Sequence, residues 1–262
     1  MGKPRLAVHK FTSCDGCQLA FLNAGESLLV LSQLMDIVHF VEAGMINADA
    51  KVDIAFVEGS VSTPSEIQRI KTIRDNSQYL ITIGACATAG GIQALRNAAS
   101  HKEWMASIYA SPQTIDTLET STAISRHVKV DWELWGCPVN TGQVLSTIRS
   151  LLSGATPGIV RDAVCLECKR LNQVCVLVAR GEPCMGPVTQ TGCHALCPTH
   201  GRACYGCYGP SENPNTHSLG KQFQNNGLSG HQIADQFLHI NNQAPVFQEA
   251  ATYFKGVKVV KK

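Results

Sequence analysis

Cysteine is the residue through which this chain most clearly advertises chemistry. Its 262 residues include twelve cysteines, and they fall into three groups of four. The first group is scattered, with Cys14 and Cys17 in a C-x2-C and Cys86 and Cys137 far downstream. The other eight lie within 43 residues, from Cys165 to Cys207, and the run is bounded by the pairs Cys165/Cys168 and Cys204/Cys207. Four thiolates satisfy a tetrahedral metal ion or a cubane iron–sulfur cluster, one sulfur per coordination position. Three sets of four with none left over point to three inorganic centres. Zinc sites of the all-cysteine type also use C-x2-C pairs, but zinc ribbons join two close knuckles, whereas the first group here draws on three separate loops. A disulfide framework belongs to small secreted domains, and this chain is long enough to bury a core without one.

The segments around the first group alternate between strand and helix patterns. RLAVHKF reads as a short apolar strand running into T-S-C-D-G-C, followed by helical periodicity over residues 18–35. DIVHFVEA and KVDIAFVEG are rich in β-branched and aromatic residues and read as strands. Residues 63–75 read as a helix with Thr63 as cap, Pro64 in its first position and Glu66 closing a capping box. Residues 79–83 form another apolar strand ending in G-A-C, residues 87–97 a helix, VKVDWELWGC a last strand, and residues 141–152 a helix. Such alternation implies a mostly parallel sheet covered by helices. Cys14, Cys17, Cys86 and Cys137 all follow predicted strands, and open α/β sheets bind their ligands beyond the carboxyl ends of the strands. Gly16, Gly84, Gly90, Gly91 and Gly136 accompany them. They either let backbone approach a cluster or make tight βα turns.

The chain therefore divides into residues 1–157, an α/β domain carrying the first cysteine group, and residues 158–262. In the second part no periodic apolar pattern persists beyond residues 174–179, while Cys, Gly and Pro are dense. Such a segment needs bound metal centres to organise it. The polar PSENPNTHS follows, read as loop, and then two short amphipathic helices over residues 230–240 and 245–254.

Hydrophobic content of 44% and charged content of 16% describe a packed globular protein. A net charge of +2, with no basic tract beyond Lys258, Lys261 and Lys262, gives no reason to expect a nucleic-acid partner. The opening MGKPRLAVHK has neither an apolar export region nor paired arginines, and the longest apolar stretches, residues 28–31 and 174–179, are too short to span a bilayer. The expectation is a cytoplasmic protein without direct membrane insertion.

In order along the chain, T-S-C-D-G-C, V-E-G, G-A-C-A-T-A-G-G-I-Q-A, G-C-P-V-N, P-C-M-G-P-V-T-Q-T-G-C and A-C-Y-G-C resemble the motifs of the small, electron-transferring subunit of nickel–iron hydrogenases. The resemblance runs from residue 5 to about residue 210. It implies a flavodoxin-like N-terminal domain whose Cys14, Cys17, Cys86 and Cys137 hold a proximal [4Fe–4S] cluster. It assigns Cys165, Cys168, Cys175 and Cys184 to a distal [4Fe–4S] cluster, and Cys193, Cys197, Cys204 and Cys207 to a medial one. Periplasmic members begin the distal set with histidine and supply three cysteines to a three-iron medial cluster. Cys165 and Cys197 depart from both habits, so all-thiolate, low-potential clusters are expected.

What the resemblance implies is the branch similar to sulfhydrogenase delta subunits. Hydrogen is split at a nickel–iron site in a large subunit, and electrons pass through this chain to a low-potential acceptor. In that branch the acceptor is NAD(P), reached through a flavin-containing reductase with ferredoxin-like subunits. F420-linked and heterodisulfide-reductase-linked small subunits are close relatives. The quinone-linked subunit of respiratory complex I is a runner-up, set back by its adjacent cysteines and its lack of an eight-cysteine domain. A zinc-stabilised interaction module without redox activity is the alternative of another class. Glycine at position 16, where oxygen-tolerant members carry a cysteine, implies an ordinary four-cysteine cluster.

Other residues admit two readings. Glu58 matches a family glutamate near the proximal cluster and belongs either to a proton path or to a solvated strand end. Thr88 either bonds a cluster sulfur or makes a local backbone bond. His194 and His200 are read as residues that support the cysteine ligands without binding iron, or as surface residues, and Trp132 and Trp135 as core or interface anchors.

Overall fold

The computed structural model describes residues 2–256, so the lysines at positions 258, 261 and 262 lie outside it. Two compact units divide the chain, one ending at Gly158 and the other beginning at Ile159.

The first unit is built on five parallel strands: β1 (Arg5–Lys10), β2 (Asp36–Phe40), β3 (Val52–Glu58), β4 (Ser77–Ile83) and β5 (Trp132–Leu134). Their order is β2-β1-β3-β4-β5, the doubly wound order whose switch point falls between β1 and β3. β-branched residues suit the pleated, two-sided burial of the inner strands, and β3 is buried almost throughout. Six helices accompany the sheet: α1 (Gly16–Leu22), α2 (Glu26–Leu34), α3 (Pro64–Asp75), α4 (Gly84–Ala89), α5 (His101–Ile108) and α6 (Thr141–Leu152). On one face Ala7, Ala55, Val57 and Leu80 form a core with Ile70 and Ile73 of α3. On β1 and β3, Leu6, Val8, Ile54 and Phe56 occupy the alternate positions, and Phe21 of α1 packs edge-on against Phe40 and Phe56. The capping box of α3 is present, with the Thr63 hydroxyl accepting from the Glu66 amide and the Glu66 carboxylate accepting from the Thr63 amide.

Local chemistry overrides the expected helices in two places. The helix expected over residues 18–35 breaks at Asn23–Gly25, where Gly25 takes φ +57° and starts α2 anew. The helix expected over residues 87–97 is instead the short α4, a pair of glycines at φ +76° and +60°, and a 3-10 segment over Ile92–Ala98. The strand expected from VKVDWELWGC shrinks to Trp132–Leu134. Before it, the Asp131 carboxylate accepts from the Leu80 amide at 2.8 Å and pairs with Arg74 at 2.6 Å.

The second unit carries three short helices among its cysteines, α7 (Val164–Arg170), α8 (Val176–Ala179) and α9 (Leu196–Thr199). It ends in α10 (Thr216–Asn225), α11 (Gly230–Leu238) and α12 (Pro245–Gly256). Among the described residues the tail thus has three helices where the sequence pattern suggests two. Asn215, in the stretch read as loop, caps α10 by accepting from the Ser218 amide. Phe237 packs against Phe247 and stacks on Phe254, with ring centroids 5.7 and 6.4 Å apart. No described helix is long and apolar enough to cross a membrane.

Candidate metal-binding cysteine sites

The parallel sheet brings the first four cysteines together from three loops. Cys14 precedes α1 and Cys17 sits in its first turn, Cys86 lies in α4 directly after β4, and Cys137 follows β5. Burial is the main force raising the Cys17, Cys86 and Cys137 thiols, and their neighbours add to it. Cys17 feels Glu58, Cys86 and Cys137, and Cys137 feels Cys14 and Glu58. Cys86 feels Cys137, Cys14 and Glu58, and it is pushed up to about 12. Three such thiols ionise together only beside a compensating positive charge, which an iron–sulfur core supplies. The Val139 amide donates to the Cys17 sulfur at 3.5 Å, a bond that favours the thiolate. The backbone yields to the sulfurs as well. A Cβ at Gly84 would strike the Cys17 sulfur, and one at Gly91 would lie 2.6 Å from that of Cys86. Both glycines have positive φ, so at Gly91 the close approach and the turn coincide.

Glu58 ends β3 beneath this loop cluster and is buried, not solvated. Its carboxylate accepts from the Cys17 amide at 2.9 Å and from the Gln18 amide at 3.3 Å, pinning the start of α1. Burial raises its pKa against the lowering effect of those bonds. The Gln18 side chain is fully buried beside the same carboxyl.

In the second unit Cys165 feels Cys184, Cys168 and Cys175, and Cys168 feels Cys184 and Cys175, so these four form one electrostatic cluster. Burial, with those neighbours, lifts Cys165 to about 11. Gly186 leaves room between them, since a Cβ there would stand 3.4 Å from the Cys184 sulfur and 3.5 Å from that of Cys165. The remaining four are seen as two pairs, Cys193 with Cys197 and Cys204 with Cys207. Cys184 adjoins both pairs, through Cys197 and through the Cys204 amide, which donates to its sulfur at 3.2 Å. The Gly206 amide donates to the Cys204 sulfur at 3.4 Å. Among the described residues, no three His, Cys, Asp or Glu side chains are grouped so as to hold one metal ion.

The family profile described as the 20 kDa subunit of NADH–ubiquinone oxidoreductase matches residues 14–151. The delta subunit of sulfhydrogenase 2 from Pyrococcus furiosus is 35% identical over 79% of this chain and 86% of its own length. The chain belongs to this family, in its hydrogenase small-subunit branch. One subunit of the F420-non-reducing hydrogenase of Methanococcus voltae is 27% identical over 80% of the chain and 83% of its own length. The delta subunit of the NAD-reducing hydrogenase HoxS of Cupriavidus necator is 29% identical over 58% of the chain and 80% of its own length. A solved NAD+-reducing [NiFe]-hydrogenase in its H2-reduced state shares the fold, with a TM-score of 0.56 at 24% identity over 60% of this chain and 96% of that one.

The Thr88 hydroxyl donates to the Gly84 carbonyl at 3.0 Å, the local backbone bond and not a sulfur contact. His194 and His200 are exposed. Trp135 is buried, and Trp132 packs edge-on against Tyr79 at 5.3 Å. Glu167 is a residue the sequence pattern does not single out. Its carboxylate accepts from the Gly192 amide at 3.1 Å and the Ala195 amide at 3.0 Å, fixing the loop that carries Cys193. Its only sequence signal is an acidic residue inside a C-x2-C.

Proposed function

We propose that this small subunit carries electrons between the nickel–iron site of a large subunit and a low-potential acceptor in the cytoplasm, using three [4Fe–4S] clusters. Cys14, Cys17, Cys86 and Cys137 would hold the proximal cluster, Cys165, Cys168, Cys175 and Cys184 the distal one, and Cys193, Cys197, Cys204 and Cys207 the medial one. The observation that carries this reading is the convergence of Cys14, Cys17, Cys86 and Cys137 at the carboxyl edge of the sheet, each raised by burial or neighboured by the others. Bound clusters supply one-electron chemistry at potentials set by net charge, hydrogen bonds to sulfur and burial. The chain's own part is to supply those settings. Val139, Cys204 and Gly206 direct amides at sulfurs, and burial keeps water from them. Glu58, whose pKa is raised by burial against the lowering effect of its amide hydrogen bonds, stands beside Cys17 as the candidate group for a proton path. All-thiolate ligation favours low potentials, which supports NAD(P), reached through a flavin subunit with ferredoxin-like subunits, as the acceptor. The NAD-reducing relative supports the same acceptor.

Iron, acid-labile sulfide and nickel measured on the anaerobically purified complex test this function. About twelve irons on this subunit, with nickel on a larger chain, are expected. Zinc in place of iron would move the chain to the class of non-redox interaction modules. Hydrogen-dependent reduction of NAD(P) by the same preparation tests the acceptor.

A further inference from the structure

The first unit holds a cavity of about 450 Å³ that none of the cysteines lines. α3 covers the inner strands on one face of the sheet, and edge strand β2 carries His39 at its side. Ala7 of β1 pairs with His39, so His9 lies two residues further along the same face. The two imidazoles pack with centroids 4.7 Å apart and line the cavity. Arg69 and Glu66 of α3, Thr12 and Ser13 of the loop after β1, and Ala48 are among the other residues that line it.

The charges around this cavity are unequally matched. The Lys10 ammonium pairs with Asp15 at 2.5 Å and reaches Glu42 at 3.8 Å. The Glu66 carboxylate accepts from the Ser62 amide at 2.7 Å, the Thr63 amide at 3.1 Å and the Thr12 hydroxyl at 3.1 Å. Arg69 lies over the Phe11 ring at 4.1 Å and donates to the Lys10 carbonyl, and among the described residues no carboxylate ion-pairs with it. His39 Nδ1 accepts from the Asn47 amide at 3.2 Å, which leaves its ring proton on Nε2 as a donor. Both histidines are held neutral, mainly by burial, so the pair offers hydrogen bonds and no competing charge.

We propose that this cavity binds a small molecule through an oxyanion head, phosphate or carboxylate, held by the Arg69 guanidinium and the His39 Nε2–H. A planar guanidinium that feels the Glu66 carboxylate but is not ion-paired to it matches either head in two-pronged fashion, and the site lies at the carboxyl end of β1, where sheets of this order take their ligands. Equilibrium binding of inorganic phosphate and of acetate to the intact complex tests it. Saturable binding of at least one probe at millimolar concentration or below is expected, and the preferred probe identifies the head. Arg69→Gln should weaken that binding about tenfold or more. Arg69 also packs on Phe11, so a second variant, Ala48→Trp, fills the cavity from an exposed loop position while leaving every polar group in place. It should abolish binding without lowering the melting temperature. Failure of both probes to bind the wild-type complex, or unchanged affinity in both variants, would overturn the proposal.

Discussion

Gly84 shows how much of the first cysteine set depends on a missing side chain. Its φ of +85° is costly for any L residue, and a Cβ there would collide with the Cys17 sulfur. Gly84→Ala is therefore expected to remove the proximal cluster and leave the others, lowering the iron content of the subunit by about a third if three four-iron clusters are present. An iron assay on the purified variant checks this, and an unchanged value would show that the loop relaxes around the methyl group. The sequence announces these glycines through their place beside the cysteines, because positive φ and close approach both select glycine. It does not announce that Glu58 is buried, since that depends on α1 closing over the end of β3 and donating two amides to the carboxylate. Glu167 is illegible for the same reason, its partners lying 25 and 28 residues further along the chain.

Helix α10 illustrates how an element can invert a propensity rule. Glycine inside a helix ordinarily costs about 1 kcal/mol relative to alanine, so Gly220→Ala should stabilise an isolated helix. Here a Cβ at Gly220 would run into the Phe254 ring, which is fully buried and held by Phe237, Tyr253 and His217. Overpacking of this kind costs about 1–3 kcal/mol and outweighs the propensity gain. The melting temperature of the Gly220→Ala complex should therefore fall, and a rise would show that α12 moves aside. The same helix marks the limit of pattern reading. Its buried face is only Leu219, Gly220 and Phe223, too sparse to stand out after a run of polar turn residues. The strands and α3 are legible because β-branched runs and a complete capping box act locally. The break at Gly25 and the halt at Gly90–Gly91 are not, because apolar periodicity continues across them and only the backbone angles change.

At the scale of the whole molecule, the His9–His39 pair ties the stability of the fold to pH. His9 is held near a pKa of about 3 against an ordinary 6.5, first by burial and then by His39 and Arg69. His39 on β2 and Arg69 on α3 act on it directly, Lys10 and Glu66 line the same cavity, and Asp49 acts on His39 in the opposite sense. Because the folded form binds its proton less readily than the unfolded chain, burying neutral His9 is fully tolerated above pH 6.5. Stability is lost as pH falls from there toward 3, at about 1.4 kcal/mol per pH unit. At pH 5 the loss attributable to His9 is about 2 kcal/mol. His39 is lowered by burial and Arg69 too, so it works in the same direction. His9→Phe keeps a ring against His39 and removes the titration. Denaturant unfolding of both proteins at pH 7.5 and pH 5 should show the wild type losing about 2 kcal/mol more than the variant. Equal losses would mean that water or an anion reaches His9 in the native state and that the ring protonates in place. The cavity lined by the same two histidines would then be the route by which it enters.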